Sequence, residues 1–381
     1  MKVALTVDRF DPAAGGLERW TAGLARFLAA RGHAVHVVAF EQAPHDLPVR
    51  VHLLPPARDV AARARHIAAA LVALAPDVAH DTGSGWSADV FHPQTGSRLL
   101  AQQRLVATHP PLHRLRAAVS PVSIWRRRQM RFVERRQVGA ARRVVAVSRL
   151  VRQELVRLYG TTESRFTVVH NGTDVMRFAE PVLAPLRAAM RAEIGAGNAV
   201  LFAASAHNPH LKGVDTALRA LAILVAEGAD VRLAVAGTSA DAEWQGLAAR
   251  LGVADRVSFL GSVGRMERVY AAADALVHPT RWDACSLSTI EAGAAGLPVV
   301  TTAMNGAAEL ISEAETGFVL NDPEDTGGLA ARMRMLLDPG LRTRMGGAAR
   351  ARAAAHDVRD NFAAIESLLL EVARARQSNS G

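Results

Sequence analysis

Residues 275–302 read ALVHPTRWDACSLSTIEAGAAGLPVVTT. Ala275 to His278 form an apolar run that ends at Pro279, and Leu297 to Thr302 form a second run rich in β-branched residues. Between them, Ser286 to Ala295 have the hydroxyl cap and the composition of a short helix. The stretch therefore predicts a strand, a loop, a helix and a second strand in a parallel α/β sheet.

The loop after the first of these strands is a candidate ligand site. At the carboxyl end of a parallel strand, such a loop leads into a helix N-terminus, whose unpaired N–H groups and dipole favour an anion. Two carboxylates beside such a helix start fit a nucleotide sugar, which is anionic in its middle and rich in hydroxyls at both ends. The alternative is a helix-capping acid and a solvated residue. The predicted site contains Asp283 in the loop, Cys285, Ser286 and Leu287 at the helix start, and Glu291 on the helix.

The residues around the two acids resemble the retaining GT-B glycosyltransferases of family 4. The family pattern is Glu, seven residues, Glu, then Ala-x-Ala-x-Gly-x-Pro-Val. The resemblance implies that Asp283, which replaces the first glutamate, holds hydroxyls of the donor sugar and that Glu291 holds the ribose. Aspartate keeps the charge but is one methylene shorter, so the identity of the sugar stays open. The matching residues are Glu291, Ala292, Ala294, Gly296, Pro298 and Val299.

Length and composition indicate two α/β domains without a membrane span. The chain has 381 residues, half of them hydrophobic, and no apolar run approaches the roughly 18 residues that a spanning helix needs. Met1 to Val7 predict a short strand that Asp8 ends, and not a signal peptide. We therefore expect a cytoplasmic protein. The single cysteine, Cys285, excludes an internal disulfide and a cysteine-rich metal site, and a small buried thiol is favoured over a nucleophile.

Arginine dominates the basic residues. The formal net charge is +9, and Lys2 and Lys212 are the only lysines. Twelve arginines lie between Arg114 and Arg152, against one acid, Glu134. Such a segment predicts a surface that faces phosphate.

The first half of the chain alternates apolar runs and amphipathic helices, which is typical of a Rossmann-like domain. Lys2 to Val7 predict the first strand, and Gly15 and Gly16 open a helix that runs from about Leu17 to Ala30. Two glycines allow a phosphate to approach the backbone closely, although on their own they are more often a turn. The resemblance implies that this pair faces the donor across a cleft between the domains.

Residues 77–96 combine histidines, aspartates and glycines, but their spacing does not match a zinc site. Several family members have Asp-Val-Phe-Gln-Pro-His-Gly-Gly in this region, with the histidine near the reacting sugar. This chain has Asp89-Val-Phe-His92-Pro-Gln94-Thr-Gly96, so the histidine comes two positions earlier and Gln94 takes its place. The catalytic role is carried over to His92, with a structural histidine that caps a turn as the alternative.

A second phosphate-binding position is expected at Lys212 and Gly213. They follow the apolar run Val200 to Ala204 and open a helix, and with Asp215 they match the family's Lys-Gly-x-Asp. There an ammonium group can neutralise the charge that develops on a departing diphosphate. The family's arginine a few residues earlier is missing here, and His207 or His210 is the candidate to replace it.

The resemblance covers nearly the whole chain and implies an α/β fold of the GT-B type, in which two Rossmann-like doubly wound domains face each other across a cleft. The expected domains are residues 1–180 for the acceptor and 181–357 for the nucleotide sugar, with a helix over 358–381 packing back on the first domain. Asn171-Gly172-Thr173-Asp174 resembles the family's exit from the first domain.

The expected activity is retaining transfer of a hexose from a nucleotide diphosphate sugar, with uridine diphosphate (UDP) as the expected carrier. The acceptor would be a glycan or a lipid-linked compound such as lipopolysaccharide core. Neither donor loop contains Asp-x-Asp, so no metal is expected, and Lys212 and helix N-termini would neutralise the diphosphate. A dinucleotide oxidoreductase, a pyridoxal phosphate enzyme and a nucleic-acid-binding protein are less well matched, because no Gly-x-Gly-x-x-Gly follows Val7 and aromatic residues make up 5% of the chain.

The arginine-rich segment has two interpretations. Trp125 and Phe132 are interleaved with arginines, so a helix over 114–143 would carry apolar anchors amid positive charge, which suits the anionic cytoplasmic face of a membrane. Alternatively, Trp125 and Phe132 pack inward from an ordinary solvated helix. The first interpretation predicts a peripheral position on the inner membrane.

Overall fold

The chain divides into two compact units. The computed structural model describes residues 1–13, 15–238 and 241–378. The first unit comprises Met1–His170 and the chain from Arg359 onward, and the second comprises Asn171–Val358. The division lies before the boundary expected at residue 180, because Thr173 N donates to His356 O (3.1 Å) and Val358 N donates to Thr173 O (2.9 Å) within the second unit.

The first unit is built around a parallel sheet. Its strands are β1 (Lys2–Thr6), β2 (Arg9–Phe10), β3 (Ala34–Ala39), β4 (Glu41–Gln42), β5 (Arg50–Leu53), β6 (Val78–Asp81), β7 (Val90–Phe91), β8 (Arg143–Ala146) and β9 (Phe166–Val168). Its helices are α1 (Gly16–Ala30), α2 (Val60–Leu74), α3 (Arg98–Ala107), α4 (Pro111–Val119), α5 (Pro121–Ala140) and α6 (Arg149–Tyr159), together with the last helix of the chain, Val358–Ser378. Residues 379–381 of the helix expected over 358–381 lie outside the described residues.

The order of the main sheet is β5-β3-β1-β6-β7-β8-β9, and every neighbouring pair is parallel. Chain order runs outward in both directions from β1 and β6, which makes the gap between these two strands the switch point where doubly wound sheets bind ligands. The short strands β2 and β4 pair separately. Apolar residues on both faces of the central strands are completely buried, Val3 and Leu5 on one face and Ala4 and Val38 on the other, as expected of a sheet covered by helices.

The last helix of the chain completes the core of the first unit. The Trp20 indole of α1 donates to Asn361 Oδ1 (2.9 Å), and Phe362 packs edge-on against the same indole. Glu366 accepts from Arg31 Nε at 2.7 Å and lies 2.9 Å from His33 Nε2. This unit therefore consists of two segments that are far apart in the sequence.

The second unit contains its own parallel sheet. Its strands are β10 (Val200–Ser205), β11 (Val231–Ala236), β12 (Val257–Phe259), β13 (Ala275–His278), β14 (Val299–Thr302) and β15 (Gly317–Leu320). Its helices are α7 (Glu180–Glu193), α8 (Val214–Ala226), α9 (Ala242–Arg250), α10 (Met266–Ala272), α11 (Leu287–Ala294), α12 (Thr326–Met335) and α13 (Pro339–Ala353). The Val358–Ser378 helix, which begins at the unit boundary, is α14.

The strand order of the second sheet is β12-β11-β10-β13-β14-β15, with all pairs parallel. Numbered within the unit this is 3-2-1-4-5-6, the order of the Rossmann fold, whose switch point lies between the first and fourth strands, here β10 and β13. Helices cover both faces of the sheet, so Phe202 and Leu276 in its central strands are completely buried. The loops after β10 and β13 consequently meet at one edge of the sheet.

None of the helices in the described part of the chain combines the length and the apolar composition that crossing a bilayer requires.

Candidate active site

The two loops at the switch point of the second sheet bring Lys212 and Asp283 together. Lys212 follows β10 and Asp283 follows β13, and Lys212 Nζ lies 2.5 Å from Asp283 Oδ2. Both side chains retain about a fifth of their exposure, 20% and 18%. The structure thus unites two residues that the sequence assigned to one donor site from separate motifs.

Asp283 is held as a carboxylate. Burial alone would raise its pKa, but the Lys212 ammonium group and the nearby His278 imidazole outweigh burial and lower the pKa well below the ordinary value. His278 Nε2 lies 3.5 Å from Asp283 Oδ2, and burial lowers the pKa of this histidine, although Asp283 opposes the shift. The site therefore offers an ionised oxygen acceptor next to one compact cation.

The backbone around Asp283 is fixed by the turn that follows β14. Asp283 N donates to Met304 O and Gly306 N donates to Asp283 O, both at 2.9 Å. The buried Asn305 side chain accepts from Ser286 N (3.2 Å) and Ala307 N (3.0 Å). Its amide also donates to two threonine hydroxyls, of Thr289 and Thr301. The turn over residues 305–309 therefore supports the Asp283 loop.

A second ion pair connects the two loops. Arg281 donates from Nη1 and Nη2 to the two carboxylate oxygens of Asp215, each at 2.9 Å, and also pairs with Glu324. Such a bidentate pair fixes both position and orientation. Asp215 of the Lys-Gly-x-Asp motif therefore holds the loop that carries Asp283. Sequence reasoning missed Arg281, although its place two residues before Asp283 was the available signal.

Gly213 has two structural reasons to be glycine. Its φ angle is +69°, in the left-handed region that favours glycine, and a Cβ atom there would collide with the carbonyl oxygen of Pro279. The two loops can therefore approach each other only at a residue without a side chain. Gly213 also forms the N-cap of α8 without a capping side chain, so the phosphate-binding expectation at this helix start remains a prediction.

The start of α11 places Cys285, Ser286 and Leu287 next to Asp283 in sequence and at the same edge of the sheet. Ser286 Oγ caps the helix by accepting from Thr289 N (3.3 Å), and it lies 2.7 Å from Ser288 Oγ. The Cys285 side chain is buried, and burial raises the pKa of its thiol to about 12. This matches a structural thiol and not a nucleophile.

Glu291 lies within α11, the helix that follows the Asp283 loop. Its Oε2 accepts from the hydroxyl of Tyr270 at 3.2 Å. Tyr270 is almost completely buried, and burial together with Glu291 raises the pKa of its phenol well above the ordinary value. Tyr270 thus orients Glu291, a contact that no motif in the sequence indicated.

In the first unit, Gly15 precedes α1 and Gly16 is its first residue. A Cβ atom on Gly15 would lie 2.8 Å from Oε2 of Glu18, so the glycine gives room to a carboxylate at the helix N-terminus. Glu18 already provides the negative charge that such an end favours. Donor binding by Gly15 and Gly16 remains a prediction.

His92 lies inside the first unit, and not at its surface. It is completely buried, its Nδ1 lies 3.2 Å from His80 Nε2, and the Trp20 indole packs against both rings. Burial lowers the pKa of both histidines, that of His80 to about 3, so both rings are neutral at pH 7. Its other ring nitrogen, Nε2, is buried without a hydrogen-bond partner among the described residues. The catalytic role carried over to His92 remains a prediction. Gln94 is only partly buried.

The switch point of the first sheet carries a charged group that the sequence did not reveal. Arg63 Nη1 lies 3.2 Å and Arg98 Nη2 lies 3.6 Å from the two carboxylate oxygens of Asp8, which follows β1. Arg98 can lie over the loop after β6 because Gly83, at φ +124°, has no side chain to obstruct it. All three charged side chains are between 31% and 40% exposed. Two guanidinium groups therefore share one carboxylate at the switch point of the first sheet.

The loop after β6 is shaped by Asp81, one of the aspartates in residues 77–96. Asp81 is buried, and its Oδ1 accepts from the Thr6 hydroxyl (2.5 Å) and from the backbone N–H groups of Ser84 and Gly85 (both 2.9 Å). Gln137 contacts Oδ2 at 3.3 Å. These partners give Asp81 a structural role.

Two family matches cover successive parts of the chain. Residues 14–177 match the family described as Glycosyltransferase Family 4, and residues 197–339 match the family described as Glycosyl transferases group 1. The chain belongs to the family 4 glycosyltransferases. This confirms the family that the residues around Asp283 and Glu291 indicated.

Solved structures share the fold of this glycosyltransferase. WaaG, a glycosyltransferase involved in lipopolysaccharide biosynthesis, is similar over 96% of this chain and 99% of its own, with a TM-score of 0.78 and 24% identity. Anabaena Alr3699/HepE, solved with UDP and glucose, is similar over 97% of this chain and 99% of its own, with a TM-score of 0.72 and 20% identity. The expected GT-B fold with two Rossmann-like domains is therefore confirmed.

Curated relatives are more similar in sequence but match over a shorter length. The D-inositol 3-phosphate glycosyltransferase of Streptomyces avermitilis is 34% identical over 225 residues, which are 56% of this chain and 48% of the relative. The protein of that name from Streptomyces scabiei is 35% identical over 235 residues, 57% of this chain and 51% of the relative. The chain thus spans about half the length of the curated relatives that it matches.

Proposed function

We propose that this chain transfers a hexose, with retention of anomeric configuration, from a UDP-linked sugar to a hydroxyl group of a phosphorylated acceptor. The observation that carries the proposal is the Lys212–Asp283 pair at the switch point of the second sheet. It sets a cation and an ionised carboxylate side by side where a Rossmann-type sheet binds nucleotides. A nucleotide sugar needs both, because its diphosphate is anionic and its sugar donates hydrogen bonds from hydroxyls.

In this proposal Lys212 changes partner when the donor binds. Without donor its ammonium group pairs with Asp283, and with donor it turns to the diphosphate, which carries more charge. Asp283 then accepts hydrogen bonds from sugar hydroxyls, for which its lowered pKa keeps it ionised. The N–H groups at the start of α11 face the same diphosphate.

Glu291, oriented by Tyr270, receives the ribose hydroxyls. The bond between the anomeric carbon and the diphosphate oxygen breaks with its electron pair on the nucleotide. The acceptor hydroxyl oxygen bonds to the face that the nucleotide leaves, which retains the configuration, and its proton passes to the departing diphosphate oxygen. Charge on the departing diphosphate is met by Lys212 and the helix starts without a metal ion.

A structural relative that was solved with UDP and glucose supports UDP as carrier and a hexose as the transferred group. It shares only the fold at its level of identity, so the base and the sugar belong to the proposal. The shorter Asp283 side chain, fixed by the 305–309 turn, sets which hydroxyl of the sugar can be reached.

The acceptor is proposed to carry phosphate. Curated relatives are named D-inositol 3-phosphate glycosyltransferase, and a structural relative is named for lipopolysaccharide biosynthesis. Both names concern molecules that combine hydroxyls with phosphate. In this chain Arg63 and Arg98 at the switch point of the first sheet provide guanidinium groups for such a phosphate, with Asp8 as their partner when no acceptor is bound.

Donor identity is tested by thermal stabilisation with UDP-, GDP- and ADP-linked glucose, galactose and N-acetylglucosamine. Stabilisation by UDP-sugars above the others is expected, and the Lys212→Ala variant should lose it. If no nucleotide sugar stabilises the chain, the proposed function is wrong.

Acceptor identity is tested by incubation with the stabilising donor and D-inositol 3-phosphate, phosphorylated lipopolysaccharide core, or their dephosphorylated forms. Transfer to a phosphorylated acceptor, with an α-linked product from an α-linked donor in the NMR spectrum, is expected. Double substitution Arg63→Ser and Arg98→Ser should raise KM for that acceptor without changing the affinity for UDP. The proposal of a phosphate-bearing acceptor would be contradicted if the parent chain and the double variant both transferred equally well to the phosphorylated and the dephosphorylated acceptor.

A further inference from the structure

His278 is a buried histidine next to the Lys212–Asp283 pair. It is the last residue of β13, and its side chain is only 2% exposed. Both ring nitrogens are enclosed, and neither forms a hydrogen bond with any of the described residues. Buried polar groups nearly always have a partner, so an imidazole without one calls for an explanation. This imidazole lies in the candidate active site, where a ligand has to be bound.

The imidazole of His278 faces Asp283. His278 Nε2 lies 3.5 Å from Asp283 Oδ2, slightly beyond an ordinary hydrogen bond. The same carboxylate oxygen lies 2.5 Å from Lys212 Nζ. The ammonium group therefore holds Asp283 Oδ2 at close range, and the imidazole is a second, more distant neighbour of that oxygen atom.

The elements packed against β13 bring few charged groups to His278. The neighbouring strands β10 and β14 contain no titratable residue, and α11 contains only Glu291, whose carboxylate accepts from the Tyr270 hydroxyl. The turn after β14 contributes Glu309, whose charge acts on the Cys285 thiol. The charges that act on the imidazole come from the two donor loops.

Lys212 and Asp283 act on this imidazole in opposite directions. Burial lowers the pKa of His278 and the Lys212 ammonium group lowers it further, whereas Asp283 raises it. Burial and the cation prevail, so the ring is neutral in the free chain at pH 7. In this state the charges are balanced, because the negative charge of Asp283 is matched by the positive charge of Lys212.

Donor binding disturbs this balance, and the inference rests on the proposed function at this step. Lys212 turns to the diphosphate and leaves Asp283, and a buried carboxylate that loses its partner is strongly destabilised. The cation that disfavoured a charge on the imidazole also moves away, while the diphosphate adds negative charge nearby. Both changes favour a protonated His278.

We propose that His278 takes the place of Lys212 beside Asp283 when the donor binds, by taking up one proton from the solvent. Nε2–H then donates to Asp283 Oδ2, which needs only a small movement from the present 3.5 Å. The carboxylate stays ionised, and its other oxygen accepts from the sugar hydroxyls. When the nucleotide leaves, Lys212 returns to Asp283 and the proton returns to the solvent. His278 is thus a positioning residue that acts through Asp283.

Proton uptake makes donor affinity depend on pH. A sugar nucleotide is esterified at both ends of its diphosphate and exchanges no proton near neutral pH, so the protons that are exchanged belong to the protein. The complex holds more protons than the free chain, so affinity rises as pH falls from the pKa of His278 in the complex to its lower pKa in the free chain. We expect the Kd of UDP-glucose to fall about tenfold from pH 8 to pH 6.

Calorimetric titration of the full chain with UDP-glucose at pH 6.5, in PIPES and in Bis-Tris, measures the proton uptake. The two buffers differ in their enthalpy of ionisation, so the difference between the two heats of binding gives the number of protons taken up. We expect about half a proton or more for UDP-glucose. We expect none for uridine, which has no phosphate to draw Lys212 away from Asp283.

His278→Gln keeps an N–H group near the position of Nε2 but cannot take up a proton. The variant should bind UDP-glucose as tightly as the parent at pH 8, about tenfold more weakly than the parent at pH 6, and without proton uptake. A loss of packing alone would weaken binding at both pH values. His36→Gln is the matched control, because His36 is a buried strand histidine of the first unit, and this variant should keep the proton uptake of the parent.

Nitrogen NMR of histidine-labelled protein tests the exchange of cations without any donor. In Lys212→Ala, Asp283 lacks its ammonium group in the free chain, so His278 should titrate at a higher pH than in the parent. The signal of His278 is assigned by its absence from the spectrum of His278→Gln.

Two results would overturn the inference while the proposed function stands. One is binding of UDP-glucose without proton uptake between pH 6 and pH 8, and the other is proton uptake that persists in His278→Gln, which would place the proton on another group. An unchanged titration of His278 in Lys212→Ala would overturn the inference whether or not a donor binds. Failure of every nucleotide sugar to bind is a distinct result, because it contradicts the proposed function and the inference falls with it.

Discussion

Lys212 is one of two lysines in a chain whose other basic residues are arginines. Arginine has a planar group that suits bidentate pairs, whereas a lysine ammonium group is a compact charge that can turn between partners. At 2.5 Å from Asp283 and with a fifth of its side chain exposed, Lys212 is placed to exchange a carboxylate for a diphosphate. A lysine at position 212 can therefore exchange its partner in a way that the planar guanidinium group of an arginine would not.

Lys212→Ala should weaken UDP binding by about 10- to 100-fold, because a hydrogen bond to a charged group contributes about 1.5–3 kcal/mol. Titration calorimetry with UDP and with uridine measures this loss, which should be small for uridine since it has no phosphate. Lys212→Arg, which keeps the charge, is the matched control and should retain part of the affinity. Unchanged UDP affinity in a folded Lys212→Ala variant would show that Lys212 does not bind the phosphates.

Asp283→Asn and Glu291→Gln should differ in kind. Both keep the size of the side chain and remove its charge, so they separate the two ends of the donor. Asp283→Asn should reduce transfer by 100-fold or more, the scale of losing an electrostatic contact in a catalytic site, while leaving UDP affinity within a few fold. Glu291→Gln should weaken the binding of UDP itself. Equal effects of both on UDP affinity would contradict the assignment of sugar and ribose ends.

Cys285 provides a test of burial by pH. Its thiol has a pKa of about 12, against an ordinary value near 9, so below pH 12 it is protonated and unreactive. At pH 8.5 iodoacetamide should modify the folded chain at least about a hundredfold more slowly than the chain in 6 M guanidinium chloride. As the only cysteine, its alkylation is read directly by mass spectrometry. Comparable rates in both states would show that the start of α11 is open to solvent.

At the scale of elements, the sequence predicted the positions of strands and helices well. It predicted the contacts between loops less well. The apolar run Ala275 to His278 coincides with β13, and Pro279 ends it as expected. The helix expected over Ser286 to Ala295 is α11, one residue shorter at each end because Ser286 is its cap and Ala295 follows it. Local composition fixes such elements because capping and apolar spacing act over a few residues.

The single helix expected over residues 114–143 is an element whose bounds the sequence analysis did not predict correctly. The structure has two helices, α4 and α5, which are separated at Ser120. Pro121 has no N–H group to continue α4, and the Ser120 side chain accepts from Ser123 N to cap α5. The signal was present as Ser120-Pro121, in the stretch between Arg116 and Arg126 that contains no arginine.

Contacts between elements were not predictable from patterns. The Arg281–Asp215 pair, the Tyr270–Glu291 hydrogen bond and the burial of His92 each depend on which strands are neighbours in the sheet. Lys212 and Asp283 could be predicted because they belong to motifs of the family. The residues that support them could not, because their contacts depend on tertiary packing.

Gly213→Ala tests how closely the two donor loops must approach. Two costs are expected, about 1–2 kcal/mol for a non-glycine residue in the left-handed region and a further 1–3 kcal/mol for the collision with Pro279. Gly195→Ala is the matched control, since Gly195 has φ +64° and no atom within 4 Å of an added Cβ. Chemical denaturation should find Gly213→Ala the more destabilising. Equal losses for both would mean that the loops are free to separate.

At the scale of the whole molecule, the two units differ in how the chain builds them. The second unit is one continuous segment, Asn171–Val358, whereas the first requires the chain from Arg359 onward. Phe362, Ile365 and Leu369 of α14 are buried in the first unit, and Asn361 bonds both the Trp20 indole and the carbonyl of His170. Without α14, apolar side chains of α1 and the polar groups of Trp20 and His170 lose their partners.

A fragment of residues 171–358 should therefore fold alone with one cooperative transition, and a fragment of residues 1–170 should not. Burying a large apolar side chain contributes about 1.5–3 kcal/mol, so losing Phe362, Ile365 and Leu369 removes an amount comparable to the stability of a whole domain. A peptide of residues 359–378 added to fragment 1–170 should restore a cooperative transition in circular dichroism. The same peptide with Phe362→Ala and Leu369→Ala should fail, because helix formation by itself supplies no core. A fragment 1–170 that unfolds cooperatively without the peptide would show that α14 only covers a finished domain.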